Sequence, residues 1–388
     1  MREPSAAVRR VSQSERAGAT TPPGPGVVLL DKGDPDFPTP HHIVEAMNDA
    51  LETGYTRYAN IQGDAELRTA IARQLTERSG VDWTINDIVI TSGGSGGINA
   101  AMAAFLDPGD EVLIPQPTFS LYGDVALTIG ARVIDVPMTT DFHLDLDALR
   151  ASITPRSKMV VLVNPCNPTG TVFRRDELQG LARICAEHDL LLLADEAYQL
   201  IVFDGRQHVS MLEFPEMHDR LLLCETFSKT YAMTGWRLGY LAARQGMANS
   251  VLMIHRTAVG FVNTAVQRAG IAALTTPSDA PAKMNEEYAF RRGLIDGLLK
   301  DARGATWRPP EGTFYAFVKY TADMSAKEMT QFLLERGVAV RSGTEFGPGG
   351  EGHVRLSFAT SRENIIEGTK RMAAAFAEAA DRQAKVAV

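Results

Sequence analysis

The sequence has 388 residues, of which 45% are hydrophobic and 22% are charged. These fractions are typical of a globular protein and exclude collagen-like and intrinsically disordered chains. Its 39 Lys and Arg residues against 47 Asp and Glu residues give a formal net charge of −8, which argues against a nucleic-acid partner. The length predicts roughly two or three domains, at about 150 residues each.

Apolar runs and cysteine spacing exclude further classes of protein. No apolar run approaches the roughly 18 residues that a membrane-spanning helix needs, so we expect no membrane partner. Cys166, Cys185 and Cys224 lie far apart and form no C-x-x-C pair, which predicts neither a disulfide framework nor a zinc or other metal site. A reducing cytoplasm fits this pattern best.

Residues 1–26 have the composition of a flexible N-terminal arm. Arginines stand among Ser, Thr and Ala, and the stretch closes with several prolines and glycines. No apolar segment suggests a signal peptide, and Glu3 and Glu15 argue against an Arg-rich transit peptide. The sequence does not indicate what this arm does.

Two amphipathic helices are predicted between Pro40 and Gly80. Apolar residues recur at helical spacing from Ile43 to Leu51. A second set follows Asp64, a residue that favours helix N-caps, and stops at Gly80.

From residue 87 onward, short apolar runs predict buried strands separated by segments of helical length. The strand runs are Ile88–Ile90, Val112–Ile114, Val133–Ile134, Met159–Val163, Leu190–Leu193 and Leu221–Leu223, and the intervening helical segments include Gly96–Leu106, Phe119–Gly130 and Asp176–His188. This alternation predicts an α/β fold whose mostly parallel sheet lies between helices. Ligands of such sheets bind at the carboxyl ends of the strands.

Beyond residue 280 the order of elements predicts a second, smaller α+β domain. It contains a long helix to Leu299, strands at Phe314–Val318, Val338–Val340 and Val354–Phe358, a helix at Lys327–Glu335, and a closing helix. We therefore predict three parts: an arm (1–26), a large domain (45–280), and a small domain made of 27–44 with 281–388.

Charged and amide side chains follow several of the predicted strands. Asp195 comes directly after an apolar strand, where an acid is costly unless it meets a cation. Asn167 lies in the turn Asn-Pro-Cys-Asn-Pro-Thr-Gly after another strand, and Lys229 follows the strand that ends near Leu223. Arg237 is flanked by apolar residues and needs a partner.

A glycine-rich segment, Thr-Ser-Gly-Gly-Ser-Gly-Gly at 91–97, joins a predicted strand to a helix. Such a turn lets the backbone approach a ligand and offers free N–H groups to an anion. Its spacing matches neither the dinucleotide fingerprint nor the nucleotide phosphate loop. Together with the strand-end residues it predicts an anion site at one edge of the sheet.

This combination resembles the pyridoxal-phosphate-dependent aminotransferases of class I/II, on the type I fold of aspartate aminotransferase. The resemblance extends from about Leu30 to the C-terminal helix. It is carried by Asn-Pro-Thr-Gly at 167–170, Asp-Glu-Ala-Tyr at 195–198, Ser-Lys-Thr-Tyr at 228–231 and Trp-Arg-Leu-Gly at 236–239, in that order. The family's reaction moves the α-amino group of an amino acid to a 2-oxo acid by a ping-pong route through pyridoxamine phosphate.

The resemblance implies catalytic roles for three residues. Lys229 forms the Schiff base with pyridoxal 5′-phosphate and then moves the substrate's α-proton. Asp195 keeps the pyridine nitrogen protonated, which makes the ring an electron sink. Tyr198, together with Asn167, bonds the phenolic oxygen of the ring.

The resemblance also implies a set of binding residues. Gly94, Ser95, Thr226 and Arg237 hold the phosphate, and Phe119 stacks on the ring. The substrate carboxylate is bound by Arg355, the backbone of Gly33 and Asn167. Tyr58 reaches the phosphate of a neighbouring subunit, which implies a homodimer with shared active sites.

Three questions stay open at the level of sequence. Ser95 stands where some aspartate-specific relatives carry a lysine, so neither the amino donor nor the oxo acceptor is identified. The same residues also support a β-elimination lyase or a cyclopropane-forming synthase, because these reactions start from the same carbanion. A catalytically silent regulatory relative is the third alternative, although the lysine, acid and arginine are all present.

Overall fold

The computed structural model describes residues 2–14 and 24–386, and the part of the predicted arm at 15–23 lies outside them. The strands are β1 Val28–Leu29, β2 Ile88–Ser92, β3 Glu111–Gln116, β4 Arg132–Pro137, β5 Ser157–Val163, β6 Leu191–Asp195, β7 Leu221–Thr226, β8 Leu238–Ala242, β9 Ala305–Thr306, β10 Tyr315–Tyr320, β11 Val338–Ala339, β12 Arg341–Ser342 and β13 His353–Ser357. The α-helices are α1 Ala6–Val11, α2 His41–Glu52, α3 Ala65–Ser79, α4 Gly93–Phe105, α5 Leu121–Ile129, α6 Leu146–Ala151, α7 Arg175–Glu187, α8 Phe227–Thr230, α9 Met247–Ala258, α10 Thr264–Thr275, α11 Ala280–Leu299, α12 Ala326–Glu335 and α13 Arg362–Val386.

The largest sheet confirms the predicted α/β fold class. Its strand order is β2-β8-β7-β6-β5-β3-β4, and every neighbouring pair is parallel except those made by β8. Apolar residues alternate between two buried faces: Val160 packs into a core with α3 and α7, and Val161 packs into a core with α4, α5 and α9. Burial on both faces explains why the strands are continuous apolar runs.

Most predicted elements have bounds within a few residues of those observed. The Asp64 side chain caps α3 and Gly80 ends it at φ +69°, as the sequence indicates. Helix α4 begins at Gly93, three residues before the predicted start, because Gly93 adopts φ +66° directly after β2. Strand β8 and helices α9 and α10 were not predicted.

A second sheet follows the first along the chain. Its order is β12-β13-β10-β9 and its pairs are antiparallel, while β1 pairs with β11 in a separate parallel ladder. Helices α11, α12 and α13 share one apolar core with these strands. This is the predicted smaller α+β unit, and the domain bounds 27–44 with 281–388 and 45–280 stay a prediction.

The predicted arm contains one helix that the sequence analysis did not foresee. Ser5 caps α1, and Arg10 donates hydrogen bonds to the carbonyls of Leu127 and Thr128 near the end of α5. A cation at the carboxyl end of a helix is favourable because its last carbonyls lack helical partners. Within the described ranges, none of the helices has the length and apolar character that a bilayer crossing demands.

Candidate active site

A cavity of about 500 Å³ lies where the strands of the large sheet end and the second sheet begins. Every predicted site residue except Tyr58 lines it: Gly33, Gly94, Ser95, Phe119, Asn167, Asp195, Tyr198, Thr226, Lys229, Arg237 and Arg355. The carboxyl ends of β2, β5, β6 and β7 supply the loops that carry most of these side chains. Residues far apart in the chain therefore meet in one cavity.

Asp195, the last residue of β6, is the buried acid of the cavity. Its Oδ2 accepts a hydrogen bond of 2.7 Å from the Tyr122 hydroxyl, and its Oδ1 accepts one of 3.0 Å from the Ala197 N–H. Burial raises the pKa of Asp195, and these two bonds oppose the rise. A cation beside this carboxylate would favour its ionised form further.

Lys229 enters the cavity from the short helix α8, which Thr226 caps through a bond from the Ser228 N–H. Its Nζ donates a 2.7 Å hydrogen bond to the carbonyl of Gly33. A Cβ at Gly33 would lie 1.6 Å from the Tyr315 hydroxyl, so only glycine fits there. The amine is thus aimed across the cavity at the segment after β1.

The turn between β2 and α4 has the geometry of an anion cradle. Gly93 and Arg237 both adopt positive φ, +66° and +58°, and a Cβ on Gly93 would lie 2.5 Å from the Arg237 guanidinium. Within the described part of the chain, the Arg237 guanidinium donates only long bonds, of 3.2 and 3.4 Å, to the carbonyls of Thr234 and Ser92. Gly94 and Ser95 at the start of α4 add the N-terminal N–H groups that favour an anion.

Arg355, on β13, is buried with part of its guanidinium uncommitted. Nη1 donates to Asn167 Oδ1 at 3.1 Å and Nη2 donates to the Asp31 carbonyl at 2.7 Å. Nε is buried and has no hydrogen-bond partner among the residues that the structure describes. Burial lowers the pKa of this guanidinium, which a bound carboxylate would counteract.

Aromatic residues form the remaining walls. The Tyr198 hydroxyl donates to Tyr315 Oη at 3.3 Å, and burial, followed by the nearby Tyr315, raises the pKa of Tyr198 well above its usual value. Phe119 lines the same cavity and meets Tyr122 edge to face, with ring centroids 6.1 Å apart. The Arg355 guanidinium lies over the Tyr315 ring, 4.2 Å from its centroid.

Tyr58 is the one predicted site residue that the chain does not bring to this cavity. It is 87% exposed and stacks on Phe261, with ring centroids 4.7 Å apart, beside a second, open depression. Its predicted role in a neighbouring subunit stays a prediction.

Sequence reasoning missed several residues of this site. Tyr122, Ser228, Tyr315 and Asp31 line the cavity but were not singled out. Ser228 lies next to Lys229 and Tyr122 lies three residues after Phe119, so their proximity in sequence was a usable signal. Tyr315 and Asp31 had none, because their contacts join distant parts of the chain.

Comparison with known proteins identifies the family. The family model described as aminotransferase class I and II matches residues 25–372. An aspartate aminotransferase from Pyrococcus horikoshii is 35% identical over 352 residues, which cover 89% of this chain and 90% of that protein. An arginine–pyruvate transaminase from Pseudomonas aeruginosa is also 35% identical, and the match covers 94% of this chain and 93% of that protein.

A solved structure supports the same assignment. The crystal structure of an aromatic aminotransferase from Pyrococcus horikoshii matches with a TM-score of 0.89 at 32% identity, over 96% of this chain and 99% of that chain. Sequence, fold and the constellation of lysine, aspartate and arginine in one cavity therefore agree. The chain belongs to the class I and II aminotransferases and transfers amino groups of amino acids.

Proposed function

We propose that the cavity binds pyridoxal 5′-phosphate and that the chain uses it to move the α-amino group of an amino acid to a 2-oxo acid. The observation that carries this proposal is the convergence of Lys229, Asp195 and Arg237 on one cavity of about 500 Å³. Each of the three offers what one part of that cofactor requires. The two half-reactions then follow each other in a ping-pong order.

The residues present fit the cofactor group by group. Asp195 is a buried carboxylate that a protonated pyridine nitrogen would stabilise. The cradle of Gly94, Ser95 and Arg237 suits a phosphate, because it combines helix N–H groups with a weakly committed guanidinium. When bound, pyridoxal phosphate supplies a carbonyl carbon for attachment of amines and a ring that withdraws electrons from the substrate's α-carbon.

The chain's own residues orient the substrate and move its proton. We assign the Arg355 guanidinium to the substrate carboxylate, since its Nε has no partner among the described residues while Nη1 donates to Asn167. We assign to Lys229 the transfer of a proton from the α-carbon and back, since its Nζ reaches into the cavity, where it donates to the Gly33 carbonyl. Tyr198 and Asn167 would bond the cofactor's phenolic oxygen.

Lys229→Ala tests the central assignment. We expect the variant to lose turnover by orders of magnitude and to lose the visible absorbance of lysine-bound cofactor, because both the covalent attachment and the proton carrier are removed. Lys300→Ala on the protein surface is a control for loss of a lysine in general. Unchanged turnover in Lys229→Ala would overturn the proposal.

The lyase alternative is not favoured, because the similar proteins named above are aminotransferases. The two reactions differ in their nitrogen product. Transamination yields one new amino acid for each donor consumed, whereas β-elimination releases ammonia. Following both products with a panel of donors and acceptors decides between them.

We also propose that the protein is a homodimer whose active sites take Tyr58 from the partner. Support comes from the exposure of Tyr58 (87%) beside the exposed aromatic residues Tyr55 and Phe261. Such an apolar surface is unusual on a monomer.

The three free, buried cysteines support the reducing, cytoplasmic location that the sequence predicts.

Complementation between two inactive variants tests the shared site. In a heterodimer of Tyr58→Ala with Lys229→Ala, one site carries both lesions and the other carries none. When equal amounts of the two variants are unfolded and refolded together, about half of the dimers contain one chain of each variant. Each mixed dimer has one intact site out of two, so about a quarter of wild-type activity should return. Activity no higher than the average of the two separate variants, despite verified subunit exchange, would contradict a shared site.

A further inference from the structure

A buried histidine lies directly behind the anion cradle of the candidate site. His255, on α9, is 1% exposed, and its Nε2 accepts a 3.2 Å hydrogen bond from the Ser92 N–H at the end of β2. A Cβ at Gly96, in the first turn of α4, would lie 3.6 Å from the same Nε2. The imidazole ring is therefore packed against the turn that joins β2 to α4. Neither His255 nor Ser92 lines the cavity itself.

The Ser92 N–H depends on this histidine because β2 is an edge strand of the large sheet. Strand β8 pairs with one side of β2, and in the described sheet no strand pairs with the other side. The Ile90 N–H, which points to that open side, donates to the Gln62 carbonyl. Since N–H groups two residues apart point to the same side of a strand, the Ser92 N–H also faces away from β8. His255 supplies its acceptor.

Ser92 connects the histidine to the cradle. Its carbonyl accepts the 3.4 Å bond from Arg237 Nη2, and the next residue, Gly93, turns the chain into α4 at φ +66°. The backbone of Ser92 is thus held from two directions, by His255 behind the cradle and by Arg237 within it. A shift of Ser92 would move the N–H groups of α4 relative to the guanidinium.

The hydrogen bond from Ser92 defines the chemical form of the ring. Nε2 accepts a hydrogen bond only when it carries no proton, so the ring is neutral and its proton lies on Nδ1. Burial lowers the pKa of His255, which favours this neutral form. Nδ1 is buried and has no hydrogen-bond partner among the described residues, a cost that an apolar side chain would avoid. What the ring offers in return is the Nε2 acceptor.

We propose that His255 is a positioning residue of the anion cradle, and that its bond to Ser92 holds the turn in the conformation that binds the cofactor's phosphate. The inference rests on the proposed function, because that function assigns the cradle to pyridoxal 5′-phosphate. The alternative is that the ring only fills space between α4 and α9. A space-filling residue would affect all ligands of the cavity alike, whereas a positioning residue of the cradle affects those that carry a phosphate.

Pyridoxal 5′-phosphate and pyridoxal are a matched pair of ligands for this test, because they share the ring and the aldehyde but differ in the phosphate. Their dissociation constants are measured by absorbance titration of the cofactor-depleted full-length chain. We expect His255→Leu to weaken binding of pyridoxal 5′-phosphate by roughly three- to tenfold, the effect of one hydrogen bond, and to leave pyridoxal unchanged. Arg237→Ala, which removes the cation of the cradle, should change the ratio of the two constants in the same direction and by more.

Two amide substitutions separate the acceptor from the shape of the ring. The side-chain oxygen of glutamine can reach the position of Nε2, whereas that of asparagine is one bond shorter and reaches the position of Nδ1. His255→Gln should therefore keep the wild-type ratio of the two dissociation constants, and His255→Asn should lose it as His255→Leu does. This comparison needs no apolar substitution, so it decides the matter even if the leucine variant fails to fold.

Equal losses for the two ligands, or a wild-type ratio in His255→Asn, would overturn the inference while leaving the aminotransferase assignment intact. An unchanged ratio in Arg237→Ala would instead contradict the proposed cofactor site. Inorganic phosphate provides a check that does not depend on the reaction. Its binding to the cofactor-depleted chain, followed by titration calorimetry, should weaken in His255→Asn and stay at the wild-type level in His255→Gln; equal binding to both variants would count against the role of His255.

Discussion

Tyr122→Phe is the substitution that isolates a single bond in the candidate site. The Tyr122 hydroxyl is fully buried and donates to Asp195 Oδ2 at 2.7 Å. The substitution removes this donor and keeps the ring, which packs edge to face against Phe119. Any change in activity therefore reports on the charge state and position of Asp195.

The expected magnitude follows from the strength of a hydrogen bond to an ionised group. Such a bond contributes about 1.5–3 kcal/mol, which corresponds to roughly one to two units in the pKa of the acceptor. Burial already raises the pKa of Asp195, and the Tyr122 bond lowers it because it favours the charged form. Its loss must therefore raise the pKa of Asp195 further.

The proposed function requires an ionised Asp195, so the acid limb of the kcat/KM profile should move to higher pH by roughly one to two units. Tyr288→Phe is the matched control. The Tyr288 hydroxyl is equally buried but has no partner among the described residues, so its removal should leave the profile unchanged. An acid limb that stays in place or moves to lower pH in Tyr122→Phe, with the fold intact by circular dichroism, would refute this reasoning.

Three further predictions concern other residues. Gly33→Ala should cut kcat strongly, because the added Cβ would overlap the Tyr315 hydroxyl and displace the carbonyl that accepts from Lys229. Gly235→Ala is the control and should keep the wild-type kcat, because a Cβ at Gly235 meets nothing within 4 Å. Arg355→Lys should lower kcat/KM for every amino acid tested, because the ammonium loses the two-pronged geometry; a loss confined to one donor would contradict this role. Burial raises the pKa of Glu196, but His208 and then Arg78 oppose the rise and lower that pKa to about 2. The ionised Glu196 therefore stabilises the folded state fully above about pH 4.5, and this contribution is lost as the pH falls towards 2. Arg78→Met should move acid unfolding, followed by circular dichroism, to higher pH, because it removes one of the cations that favour the ionised form.

The parts of the site that the sequence predicted share one property. Asp195 and Asn167 each follow a continuous apolar run, and such a run indicates both a buried strand and the place where it ends. Because parallel strands end at one edge of their sheet, residues after different strands could be expected to meet. The cavity contains these residues for that reason.

The elements that were missed lack such a signal. Strand β8 has only five residues and begins within the Trp-Arg-Leu-Gly motif, and its antiparallel pairing with β2 and β7 depends on contacts across the sheet. Helix α1 in the predicted arm depends on the Arg10 bonds to the end of α5, more than a hundred residues away. Local patterns do not contain these contacts.

Asp31 shows how such distant contacts decide chemistry. In the sequence it is one acid among several in Asp-Lys-Gly-Asp-Pro-Asp at 31–36, and nothing separates it from Asp34. The structure separates them, because the Asp34 carboxylate accepts a hydrogen bond from the Thr234 hydroxyl, whereas the Asp31 carbonyl accepts one from Arg355. That difference arises from the pairing of β1 with β11 and from the register of β13, which together fix the Asp31 backbone. The orientation of the Arg355 guanidinium therefore depends on how the segment after β1 is anchored, because that anchoring positions the carbonyl that accepts from Nη2.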